Sequence, residues 1–199
     1  VKLGVIENFN HQIKKVYQLM SYQDFEDIRI NPNFNLIVKR KRRGKMIDHH
    51  RIQFERPDLA KLKQKHTVVD LHFHSHYSDG YNSVETIAQK VRELGIGIAI
   101  TDHNEIRGAI EIAQYRDILS IPGIEMTSAE GTHILIYFYQ LNHLETFYND
   151  HVIPFMGNDI MSSTSLPMEK IIRRARKFKT VIIFPHPYCG VYTGIQNSY

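Results

Sequence analysis

From residue 67 onward, short apolar runs alternate with amphipathic stretches, and most of the apolar runs end in a cluster of polar residues. Residues 68–73 read as a strand, and residues 83–94 as a helix with Ser83 at its N-cap and Gly95 just past its end. Residues 96–101 are almost wholly apolar, as expected of a strand covered on both faces. Residues 105–117 read as a helix, 121–127 and 133–139 as strands, 144–155 and 168–178 as helices, and 181–184 as a short strand. Such alternation predicts parallel strands in an α/β barrel or a doubly wound sheet. Those folds place their active sites at the C-terminal ends of the strands.

Ahead of this region, residues 1–66 are charged and polar and read as an appendage to a domain at 67–199. Ile13, Val16, Tyr17 and Met20 give residues 1–22 a helical period, and residues 35–54 read as a β-hairpin turning at Arg43 and Gly44. The hairpin holds the densest charge run, Lys39, Arg40, Lys41, Arg42, Arg43 and Lys45. That run can grip a nucleic-acid backbone or form a solvated turn. His49 and His50, beside Asp48, are a weak metal signal, because adjacent strand residues face opposite ways.

Composition bounds the partners. At 42% hydrophobic and 23% charged the chain is expected to fold. No window approaches 18 uninterrupted apolar residues and no signal-peptide core is visible, so no membrane partner is expected. The single cysteine, Cys189, rules out a disulfide framework and a thiolate zinc cluster and points to a reducing, cytoplasmic compartment. A net charge of +4 is too mild to name a partner. Histidine is the excess: 12 in 199 residues, more than core packing needs.

Much of that excess falls at strand ends. His72 and His74, at i and i+2, present two imidazoles to one face, and Asp79 can curl back toward them. Asp102 and His103 follow a buried strand, where a charged pair is costly unless paired or used. His103 can be a ligand, and Asp102 can be a ligand or can orient an imidazole. If residues 129–131 form a three-residue hairpin loop with Gly131 left-handed, residues 127 and 133 face each other, and Glu125 and His133 share a face. His186 sits between Pro185 and Pro187, which are expected to hold it in an extended turn. Nitrogen and oxygen donors without thiolates suit zinc, manganese or iron. Seven such donors imply at least two ions, and paired ions about 3.5–4 Å apart serve phosphoester hydrolysis. His76 and Arg107 are placed to touch a substrate, although an ordinary surface role competes for each.

At these residues the chain resembles the PHP (polymerase and histidinol phosphatase) family from about residue 67 to 190. Asp70-Leu-His72-Phe-His74-Ser-His-Tyr-Ser78-Asp79-Gly80 looks like its first motif, and Ala99-Ile-Thr101-Asp102-His103-Asn104 like its second. Pro122-Gly-Ile-Glu125 with Thr132-His133-Ile-Leu is similar to the third, and Phe184-Pro-His186-Pro187 to the fourth. The resemblance implies a distorted (β/α)7 barrel with two or three divalent metal ions at its rim. It implies His72, His74, Asp79, His103, Glu125, His133 and His186 as metal ligands. Asp79 stands where some branches carry His, which favours the nucleotide phosphatase and oligonuclease branch. The family closes its site with a late Asp-x-His, and residues 188–199 contain neither residue. At about 30 residues per βα unit, residues 67–199 hold four or five units. The barrel is therefore expected to be incomplete at its C-terminus, and a start at Val1 without Met is read as a fragment or processed piece.

The expected function is metal-dependent hydrolysis of phosphomonoesters or phosphodiesters by a metal-activated hydroxide, on a phosphorylated small molecule or an oligonucleotide. Asp102, His103 and His186 are the expected catalytic residues. One alternative is a non-catalytic module that binds metal together with nucleic acid or a protein partner; a lower one is a metal-dependent amidohydrolase.

Overall fold

The computed structural model describes residues 3–6, 58–186, 189 and 193–195. Strand β1 (Leu3–Ile6) is followed by helix α1 (Leu59–Lys65) and β2 (Thr67–Phe73). Then come α2 (Val84–Leu94), β3 (Gly97–Ile100), α3 (Arg107–Ile112) and the hairpin β4 (Gly123–Thr127) and β5 (His133–Phe138). Helix α4 (Leu141–His151), a 3-10 turn (Ile153–Phe155), α5 (Met168–Ala175) and β6 (Thr180–Ile183) complete the order.

Local signals explain most of these elements. Asp58 caps α1 by accepting the Lys61 amide at 3.1 Å, and Ser83 caps α2 by accepting that of Thr86 at 3.2 Å. Helix α2 ends at Gly95, left-handed at φ 61°. It buries Val84, Ile87, Ala88 and Val91, which share one helical face. Helix α4 stops at His151 because Pro154 has no amide to continue the ladder, and the chain tightens into a 3-10 turn. Helix α3 is shorter than the pattern at 105–117 predicts: after Ile112 the chain runs through successive turns to Ile118.

The strands depart from the expected parallel pairing beyond the hairpin at 121–139. Among the described strands only β2 and β3 pair in parallel, joined by α2, while β1 lies antiparallel on the other edge of β2 with Leu3 opposite Asp70. The second sheet, β4-β5-β6, is antiparallel throughout. Two parallel bridges, Ile98 to Ser120 and His103 to Glu125, carry the first sheet over to the second. Among the described residues the strands form two three-stranded sheets, and no seven-unit barrel is seen. Leu3–Ile6 is extended where the sequence reads as helical: this short apolar stretch gains a pairing partner along β2. The expected hairpin at 35–54 and its basic run at 39–45 lie outside the described residues.

Val69, Ala99, Ile121, Leu135 and Tyr137 pack between the sheets, and the Tyr137 hydroxyl donates to the Leu71 carbonyl across them at 2.5 Å. A larger core around Ile124, Ile134, Phe147 and Ile171 backs the second sheet. Burying each such side chain stabilises the fold by about 1.5–3 kcal/mol. The two sheets thus hold the ends of β2, β3, β4 and β5 together. Among the described residues no helix is long and apolar enough to cross a membrane.

Candidate metal centre

The first donors come from the end of β2 and the loop after it. Within that loop the Ser78 and Gly80 amides both donate to the Ser75 carbonyl, at 3.1 and 3.0 Å. A Cβ on Gly80 would fall 2.1 Å from the His74 carbonyl oxygen, so only glycine permits this fold-back. It returns Asp79 to His74, with Oδ1 2.5 Å from Nδ1.

The remaining donors converge on Glu125, which is fully buried on β4. Its Oε2 lies 2.8 Å from Nε2 of both His72 and His74, and those two nitrogens are 3.1 Å apart. Its Oε1 faces His133 Nδ1 at 3.0 Å and His186 Nε2 at 3.5 Å. His103 lies on the other side, with Nδ1 3.8 Å from Glu125 Oε2 and Nε2 3.7 Å from Asp79 Oδ2. The hairpin places His133 as its turn chemistry predicts: Thr127 pairs with His133, and Gly131 has φ 86°. His186 departs from the extended turn expected of a residue before proline, for its φ is 92°. A histidine held there is strained by about 1–3 kcal/mol.

Burial and charge oppose each other in this cluster. Burial pushes Glu125 up, but the imidazoles of His133, His186, His72 and His74 outweigh it and hold the carboxyl well below its ordinary range. Burial also opposes protonation of His74, yet Glu125 and Asp79 on either side raise it. His103 is pushed down to about 4 by burial, which Glu125 only partly offsets. The two carboxylates thus favour protonation of His74, while His103 keeps one ring nitrogen's lone pair free to donate.

Three overlapping sets have donor atoms mutually within 4.8 Å: His72, His74 and Glu125; His74, Asp79 and His103; His103, Glu125 and His133. Four buried atoms of the cluster make no hydrogen bond: Glu125 Oε1 and the Nδ1 atoms of His103, His133 and His186. Glu125 Oε1 and His133 Nδ1 are close but out of hydrogen-bond alignment. Buried polar atoms left in that state cost about 1–3 kcal/mol each. Such a set of nitrogen and oxygen donors fits divalent cations.

The other expected residues stand differently. Asp102 is 1% exposed, and its carboxylate takes the Ser75 amide, the Ser75 hydroxyl and the Ser78 hydroxyl, each at 2.7 Å. It fixes the loop rather than touching an imidazole. Arg107 is paired with Glu105 through Nε at 2.8 Å and a terminal nitrogen at 2.7 Å, and lies over the Tyr77 ring. His76 is exposed, with its ring 4.2 Å from that of Tyr77. The sequence reading passed over Ser75 and Asn104. The signal for Asn104 was its type: asparagine tolerates the left-handed region that a sharp turn after His103 needs, and its φ is 47°.

Comparison with known proteins covers much of the stretch that carries this cluster. The PHP domain family model matches residues 70–150. The match takes in His72, His74, Asp79, His103, Glu125 and His133 and ends before His186. DNA polymerase III subunit alpha of Helicobacter pylori strain 26695 is 38% identical over 53 residues, covering 25% of this chain and 4% of that protein. The J99 strain subunit is 36% identical over the same length. The chain therefore spans a small part of the curated relatives it matches. Among solved structures, Endonuclease Q in complex with a 27-mer duplex carrying an abasic lesion superposes with a TM-score of 0.54 at 21% identity. That match covers 66% of this chain and 37% of the other, and shows the fold alone. A Bifidobacterium adolescentis protein provisionally assigned as a metal-dependent phosphoesterase aligns at 27% identity over 41% of this chain and 32% of its own. Its TM-score of 0.34 carries no argument. The PHP match spans the residues of all three donor sets.

Proposed function

We propose that this chain is a metal-dependent phosphoesterase acting on phosphomonoesters or phosphodiesters of nucleotide-like substrates. The observation that carries the reading is Glu125, buried, with its two oxygens turned to different imidazoles. His72, His74, Asp79, His103, Glu125, His133 and His186 would hold two or three divalent ions, with zinc, manganese and iron all compatible with the donors. Bound there, the ions would polarise a phosphoryl oxygen and lower the pKa of water. The chain's own residues prepare that chemistry. His103 stays neutral at physiological pH and so offers a lone pair. Asp102 assists by locking the loop that carries Asp79. His186 turns its Nε2 toward Glu125 Oε1 at 3.5 Å. His76 and Arg107 would meet the substrate beyond the phosphoryl group, and a phosphate would compete with Glu105 for Arg107. The short match to a polymerase subunit supports the nucleotide-like substrate.

The test uses chelator-treated protein reloaded separately with zinc, manganese and iron. It is offered p-nitrophenyl phosphate, bis(p-nitrophenyl) phosphate and an anilide. Metal-dependent cleavage of a phosphoester, lost in Glu125→Ala, is expected. No phosphoester turnover with any of these metals overturns the reading, and anilide cleavage alone would favour carbon–nitrogen hydrolysis instead.

A further inference from the structure

We propose that the outer face of α5 and of the turn after it is a docking surface for the phosphodiester backbone of nucleic acid, with Lys170, Arg173 and Lys177 as its phosphate contacts. This surface stands apart from the metal centre and does not rest on the phosphoesterase reading.

Residues 168–179 hold six cations, Lys170, Arg173, Arg174, Arg176, Lys177 and Lys179, against one carboxylate, Glu169. The tract therefore carries +5, where the whole chain carries +4; outside this tract and the run at 39–45 the chain is net negative. Helical spacing sorts the charges. Met168, Ile171 and Ala175 are buried. Lys170, Arg173, Arg174 and Lys177, at i, i+3, i+4 and i+7, fall on the opposite side as one stripe. The Arg176, Lys177 and Phe178 amides still donate back to the Ile172, Arg174 and Ala175 carbonyls, so the turns carry the stripe past the end of α5. At 1.5 Å per residue the stripe is about 10 Å long, about three rises along one strand of a duplex.

These cations are available to a partner. Lys170, Arg173, Arg176, Lys177 and Lys179 are all exposed. Among the described residues the tract's one ion pair joins Arg173 to Glu169 at 2.6 Å, with side chains 74% and 78% exposed. A pair that open to water is weak and yields to a phosphate. Two further cations are held on aromatic faces: Arg174 lies 4.2 Å from the Phe155 ring centroid and Lys179 Nζ 4.5 Å from that of Tyr139. Nucleic acid suits this face better than a lipid surface. An interfacial helix binds by sinking its apolar side into the bilayer, and the apolar side of α5 is closed within the core behind the second sheet. Charge spaced along a rigid helix is what α5 has left to offer.

The test is binding of the full chain, without added metal, to a fluorescent DNA duplex of about 20 base pairs across a salt series. Lys170→Gln with Lys177→Gln removes two charges from the stripe and keeps helix propensity. Lys61→Gln with Lys65→Gln removes the same charge from exposed positions on α1. The stripe pair should weaken binding about tenfold at about 0.1 M salt and lower the slope of log affinity against log salt by about 2, with the α1 pair close to wild type. Equal losses in the two pairs would mean attraction by net charge alone and overturn the docking surface. A wild-type slope in the stripe pair overturns it too, as does wild-type protein that does not bind the duplex at low salt. Binding to phosphatidylserine vesicles in place of the duplex would assign the face to a membrane and reject nucleic acid. Because no metal is added, none of these outcomes depends on whether the chain hydrolyses phosphoesters.

Discussion

The carboxylate of Asp102 receives both the amide and the hydroxyl of Ser75, each at 2.7 Å. This couples the end of β3 to the loop that returns Asp79 to His74. Asp102→Ala would leave the Ser75 amide and hydroxyl and the Ser78 hydroxyl without their acceptor. We expect it to destabilise the metal-free protein by about 3 kcal/mol. Urea unfolding measures this, and a midpoint equal to wild type would refute a positioning role for Asp102.

Gly108 lets α3 approach that carboxylate: a Cβ there would lie 2.3 Å from Asp102 Oδ2 and 2.7 Å from Ile100 Cγ2. Glycine to alanine in a helix usually stabilises, by up to about 1 kcal/mol. Here Gly108→Ala should instead cost about 1–3 kcal/mol through overpacking. Combined with Asp102→Ala the two costs should add to less than their sum, because the side chain that clashes is then gone. A rise in stability for Gly108→Ala would show that the contact relaxes freely.

In metal-free protein, His103 should titrate near 4 and His74 above its ordinary value. The signs oppose. His103 binds its proton more readily when unfolded, so its contribution lowers stability as pH falls from about 6.5 toward 4. His74 binds its proton more readily when folded; its contribution is fully present below about 6.5 and is lost as pH rises through the folded value. NMR of the imidazole resonances separates them. An ordinary titration at His103 would mean the ring is solvated in the free protein.

Legibility of the sequence followed the range of each signal. Helix α2 was readable from Ser83 and Gly95 because caps act within one turn. The shared face of Glu125 and His133 was readable because Gly131 sets the hairpin register locally. The antiparallel pairing of β5 with β6 was hidden, since α4 and α5 intervene and suggest a parallel crossover. Strand β1 was missed because its partner, β2, lies some sixty residues away. Asp102 and Asn104 were ambiguous or unseen for the same reason: their partners, Ser75, Thr127, Ile160 and Ser162, are fixed only by the tertiary fold. The positive φ of His186 runs against the local preference of a residue before proline.

The central claim is that the imidazoles and carboxylates around Glu125 hold divalent metal. Metal analysis of the purified chain after equilibration with manganese or zinc and desalting tests it most directly. The account predicts two or three bound equivalents, reduced by Glu125→Ala and by His72→Ala with His74→Ala. Wild-type protein with no metal above background would contradict it.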